Sequence, residues 1–79
     1  MSQAEMIRQG DIKKRRLSRL QAQADAKSAL RFLINTATAA VPKPVEEINT
    51  AELTAYLEQL IAKQEEVRRL DQEIEDLER

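Results

Sequence analysis

Two prolines, Pro42 and Pro44, sit at the middle of a 79-residue chain that otherwise contains almost nothing to interrupt a helix. Each removes a backbone donor, and together they push Val41 and Lys43 toward extended conformations, so no continuous helix passes through them. On the N-terminal side, lysine, arginine, glutamine, leucine and alanine run without a breaker from Asp11 to about Ala40. These side chains lose little freedom on entering a helix. Ser2 followed by Glu5 has the form of a capping box, which starts the helix near residue 2. Gly10 weakens this opening stretch by roughly 1 kcal/mol relative to alanine. The expected elements are a helix over about 2–40, a proline-containing loop over 41–48 and a helix over about 49–79, forming one domain.

The second helix carries the stronger local signals. Asn49 is placed to cap it with Glu52 three residues on, and Ile48 and Leu53 occupy the positions of a hydrophobic staple. Leu53, Tyr56, Leu60, Lys63, Val67, Leu70, Ile74 and Leu77 then follow alternating steps of three and four. That is a coiled-coil seam interrupted once, by Lys63. Glu65–Arg69, Arg69–Glu73 and Glu75–Arg79 are spaced for i,i+4 ion pairs of about 0.2–0.5 kcal/mol each.

Charge says what the seam packs against. In a parallel pair of this helix with itself, Glu66 would face Asp71 and Glu73 would face Glu78, and both contacts repel. The first helix is the complementary surface. Residues 1–31 contain eight basic and three acidic side chains, whereas residues 32–79 contain five basic and eleven acidic. Folding the chain back about residue 45 brings together positions whose numbers sum to about 90. Lys13–Arg19 then lie beside Asp71–Leu77, and Leu20, Leu30 and Ile34 are expected opposite Leu70, Leu60 and Tyr56. One layer resists, because Lys27 falls opposite Lys63 and requires a carboxylate, a phase shift or a snorkelling pair. The first eleven residues overhang, leaving Met6, Ile7 and Ile12 without cover.

The fold class expected is therefore all-α, an antiparallel two-helix hairpin of coiled-coil type. Its interface residues are Leu17, Leu20, Leu30 and Ile34 from the first helix, and Leu53, Tyr56, Leu60, Val67, Leu70, Ile74 and Leu77 from the second. A chain this short is close to the lower limit for a self-sufficient core. Eleven of its 33 apolar residues are alanines, and it has no cysteine or histidine to supply a disulfide or a zinc site. Association with a second copy into a helical bundle is the remaining staple.

These features narrow function. Without histidine, a Glu-x-x-His di-iron site cannot be built. A single glycine leaves no glycine-rich phosphate loop. Lys14 and Ser18, one turn apart, read as exposed polar residues rather than as a dyad. No enzymatic activity, cofactor or metal is expected. The opening residues are polar and the apolar clusters are too short to span a bilayer, so the expectation is a cytoplasmic protein with no membrane insertion. The leading expectation is a protein–protein interaction module that forms a homo-oligomer. The other is a nucleic-acid-binding regulator using Lys13, Lys14, Arg15, Arg16 and Arg19, whose charges suit phosphate contacts although no aromatic platform accompanies them.

Overall fold

The computed structural model describes residues 2–79 and consists of two long helices, α1 (Gln3–Ala40) and α2 (Thr50–Glu78), packed antiparallel. Ser2 caps α1 through its Oγ, which accepts the Glu5 N–H at 3.2 Å. Asn49 caps α2 in the same way, its Oδ1 accepting from the Glu52 N–H at 3.0 Å. Both starts coincide with the expected capping residues. Ile48 and Leu53, the proposed staple, are half-buried.

The connection holds a feature that the proline pattern did not disclose. Beyond Ala40, the Lys43 N–H donates to the Ala40 carbonyl at 3.0 Å. Pro44 then opens a short 3₁₀ turn, Val45–Glu47. It is closed by bonds from the Glu47 N–H to the Pro44 carbonyl and from the Ile48 N–H to the Val45 carbonyl. A proline in front of such a turn supplies the carbonyl that opens it and loses no donor the turn needs. The reversal uses no cis peptide and no left-handed residue among the described residues, which is why it needs no glycine.

The shape is a rod of 65 × 14 × 13 Å with a radius of gyration of 18.4 Å. A compact chain of this length has a radius near 12 Å by the usual size scaling. At 1.5 Å per residue, α1 extends about 57 Å and α2 about 44 Å, so α1 projects past the end of α2. Residues 2–10 are exposed throughout, Met6 and Ile7 among them. Ile12 departs from expectation: it is 3% exposed, covered at the level of Leu77.

The axial register agrees with the fold-back at residue 45. Arg15 pairs with Glu73, Arg19 with Asp71 and Phe32 with Tyr56. The rotation of α1 does not agree. Its buried and half-buried positions centre on Ile12, Arg15, Arg19, Ala22, Ala26, Ala29, Leu33, Thr36 and Ala40, which again step by three and four, with the half-buried Asp11, Asp25 and Leu30 at the edges of this face. Leu17, Leu20 and Ile34 point away, with 61%, 60% and 53% of their surfaces exposed. Leu20 therefore does not meet Leu70, and Tyr56 stacks on Phe32 instead of Ile34, with ring centroids 5.6 Å apart. The physical reason is size: Ala22, Ala26, Ala29 and Ala40 on the inner face of α1 leave room for the leucines and isoleucine of α2, whereas Leu17, Leu20 and Ile34 face outward. Of the eleven residues expected at an interface, Leu30 and the seven of α2 lie on the intramolecular seam or its edge.

Candidate interaction surface

The seam is short of apolar mass. Among the described residues, only Ile12, Ala22, Ala29, Ala40, Leu70 and Ile74 fall below a tenth exposed, and three of those six are alanines. Polar residues complete it. Lys63, at the one interrupted position of the α2 heptads, donates to Glu66 at 3.1 Å and lies 3.5 Å from Asp25 of α1. The hydrogen bond from Lys63 to Glu66, then the Glu66 charge and that of Asp25, hold the lysine above its ordinary pKa. Asp25 is the carboxylate that this layer required, and Lys27 is exposed rather than opposed to Lys63.

The basic run divides in two. Arg15 Nε donates to Glu73 at 3.2 Å, Arg16 pairs with Glu78, and Arg19 pairs with Asp71 while also donating to Gln23. These three arginines therefore bind α2. Arg16 also neutralises Glu78 in the last turn of α2, where the helix dipole disfavours negative charge. Lys13 and Lys14 are exposed and have no carboxylate partner among the described residues. Of the three i,i+4 pairs expected within α2, Glu75–Arg79 forms at 2.9 Å, Glu73 is taken by Arg15 instead of Arg69, and Glu65–Arg69 is not among the ion pairs of the described residues.

Two surfaces remain uncovered. One is a groove along the edge where the helices meet, lined by Gln23, Ala26, Lys27, Leu30, Leu60, Gln64, Val67 and Arg68. Toward the loop it is continued by Ile34 on α1 and by Leu57 and Ile61 on α2, the latter two 45% and 44% exposed. Leu57 and Ile61 were not singled out from the sequence, yet they flank Leu60 at steps of three and one, which is the pattern of a widened apolar stripe. The other is the outer ridge of α1, where Lys13, Leu17, Leu20, Ala24, Lys27, Arg31 and Ile34 step by four and three, all exposed.

The groove lining offers no carboxylate and no hydroxyl or thiol nucleophile. Among the described residues, no three metal-binding side chains converge and no helix is long and apolar enough to cross a membrane. The chain matches no protein-family model, no curated protein and no solved structure.

Proposed function

We propose that this protein is a non-enzymatic interaction module, a helical hairpin that pairs with a second copy through its groove to form a four-helix bundle. The observation that carries this reading is surface area. The hairpin exposes 6139 Å². A compact protein of 9.1 kDa exposes roughly 4,900 Å². The excess of about 1,200 Å² exceeds the ~800 Å² that one partner contributes to a standard interface. Part of the apolar excess lies where Ile34, Leu57 and Ile61, beside the half-buried Leu30 and Leu60, line the loop-proximal half of one face.

A two-fold axis along the rod sets each α1 antiparallel to α2 of the second copy, and aliphatic side chains then meet across the axis. Lys27 and Arg68, farther along the groove, limit how far that apolar contact extends. Such a bundle is suited to an adaptor, a chaperone-like cofactor or a small structural subunit. The nucleic-acid reading retains Lys13 and Lys14 but is weakened by the commitment of Arg15, Arg16 and Arg19 to carboxylates.

Sedimentation equilibrium at micromolar concentration tests the proposal. A dimer is expected, and Leu57→Glu with Ile61→Glu should shift it to monomer and lower the melting temperature. A wild-type monomer whose melting temperature does not change with concentration would remove the basis for this reading.

A further inference from the structure

The outer ridge of α1 repeats, half a turn away, the chemistry by which α1 holds α2, and we infer that it docks an acidic amphipathic helix from a different protein. The inference rests on the interaction-module reading and adds the chemistry of the partner. Three observations converge on it. The first is phase. The ridge keeps the three-and-four spacing of a coiled-coil seam, with Leu17, Leu20 and Ala24 at its centre and both leucines about 60% exposed. Scattered exposed leucines are ordinary, but a stripe in register is a contact surface without its partner.

The second observation is charge. Lys13, Lys27 and Arg31 lie on the ridge, and none has a carboxylate partner among the described residues. The carboxylates of α1 lie elsewhere: Asp11 and Asp25 are half-buried toward α2, and Glu5 stands one heptad before the buried Ile12. A stripe that is apolar at Leu17, Leu20 and Ala24, basic on either side of them along the helix and free of acid fits a helix that brings leucines to its middle and glutamates to its ends.

The third is precedent within the fold. The inner face of α1 already accepts such a helix in α2, through Arg15–Glu73 and Arg19–Asp71. A second copy of α1 does not fit the ridge. Antiparallel pairing about Leu20 sets Lys13 beside Lys27, and parallel pairing sets each lysine beside itself. A polyanion gains nothing from the leucines, and the ridge lacks the aromatic residues that anchor a helix at a lipid surface.

Fluorescence anisotropy with a labelled four-heptad peptide, leucine at its seam positions and glutamate at the flanking ones, provides the test on the full chain. The acidic peptide should bind, more weakly as salt rises, and the same peptide with lysine replacing glutamate should not. Leu17→Glu with Leu20→Glu should weaken binding by at least about tenfold, as expected for central contacts, while the circular-dichroism melt stays that of wild type. Lys13→Glu, Lys27→Glu and Arg31→Glu together should transfer the preference to the lysine peptide. No binding, or binding indifferent to Leu17 and Leu20 because the peptide displaces α2, overturns the inference. So does tighter binding of a DNA duplex or of phosphatidylserine vesicles through the same lysines. Sedimentation separates the two proposals. A wild-type dimer that ignores the peptide sinks only this inference. Loss of the dimer in the Leu17/Leu20 variant makes the ridge the self-association surface and also overturns it.

Discussion

Lys63 Nζ of α2 lies 3.5 Å from Asp25 Oδ2 of α1, across the interhelical seam, at the one heptad position of α2 not occupied by an apolar residue or tyrosine. Glu66 holds the same ammonium from its own helix at 3.1 Å. A lysine at a seam position reduces apolar burial, and of its two carboxylate partners only Asp25 depends on the register of the helices. Asp25 and Lys63 thus act as an axial marker in a seam whose alanines discriminate little between registers.

Replacing the marker should raise stability and loosen specificity. Lys63→Leu adds apolar burial to the seam and removes two part-exposed ion pairs that solvent screens. A net gain of about 1 kcal/mol corresponds to a rise of roughly 4–8 °C in melting temperature for a domain of this size. Sedimentation velocity should at the same time show additional associated species. A lower melting temperature would mean that the ion pairs outweigh the apolar burial.

The same lysine gives the fold a pH dependence of definite sign. Its folded-state pKa lies above the ordinary 10.5 because Glu66 and Asp25 favour the charged form. Its contribution is therefore fully present below the unfolded value and is lost as pH rises through the folded one. The stability difference between wild type and Lys63→Met should be constant from about pH 7 to pH 10 and change only above about pH 10.5. A difference that instead changes between pH 7 and pH 9 would exclude this origin.

A seam residue of α2 and a ridge residue of α1 should respond differently to the same kind of substitution. Leu70 is 5% exposed on the seam, so Leu70→Asp removes apolar contact and buries a charge with no partner assigned to it. A loss of at least about 3 kcal/mol is expected, enough to abolish most helicity in so thin a fold. Leu17→Asp, on the outer ridge, should change stability by no more than about 0.5 kcal/mol. Equal losses in urea melts of the two variants would place Leu17 in the core.

That contrast also explains which parts of the architecture were legible in the sequence. The seam of α2 could be phased because large apolar side chains occupy nearly every a and d position. Axial register was accessible through two independent features, the prolines and the opposed charges of Arg15, Arg19, Asp71 and Glu73. The inner face of α1 was not accessible in this way. Its alanines, Thr36, Arg15 and Arg19 carry less apolar weight than Leu17, Leu20 and Ile34, so hydropathy alone selects the wrong side. The decisive quantity was the volume available between the helices, which is a property of the pair and not of either segment. The groove flank at Leu57 and Ile61 was missed for a related reason, since residues beside a seam look like part of it until a partner helix divides them.

Gly10 lies within α1 on the overhanging stretch, and a Cβ placed there meets no atom within 4 Å. Gly10→Ala therefore adds helix propensity of about 1 kcal/mol without steric cost. Because residues 2–10 make little contact with α2, the gain should appear locally. Amide exchange around residues 6–12 should slow by about fivefold, while the global melt moves little. Unchanged exchange would indicate that something other than helix propensity orders this end.

The arginines of the basic run give the sharpest test of what that run does. Arg15, Arg16 and Arg19 engage Glu73, Glu78 and Asp71, whereas Lys13 and Lys14 engage none of them. Reversing the three arginines to glutamate sets like charges along the far end of the hairpin, and the melting temperature should fall. Reversing Glu73, Glu78 and Asp71 to lysine in the same molecule should restore most of the loss. Individual part-exposed pairs contribute roughly 0–1 kcal/mol, so the grouped swap is the measurable one, at about 1–3 kcal/mol. The rescue should shrink as salt rises from about 0.05 M to 1 M, where screening shortens the Debye length to about 3 Å. Lys13→Glu with Lys14→Glu should leave the melt unchanged, because those lysines face solvent. If the run instead serves phosphate binding, the triple arginine reversal would abolish DNA binding at low salt while helicity and melting temperature stayed those of wild type. Circular-dichroism melts of the four proteins, with electrophoretic shifts at two salt concentrations, distinguish the outcomes. A stable arginine-reversed hairpin would show that the three ion pairs do not hold α1 against α2.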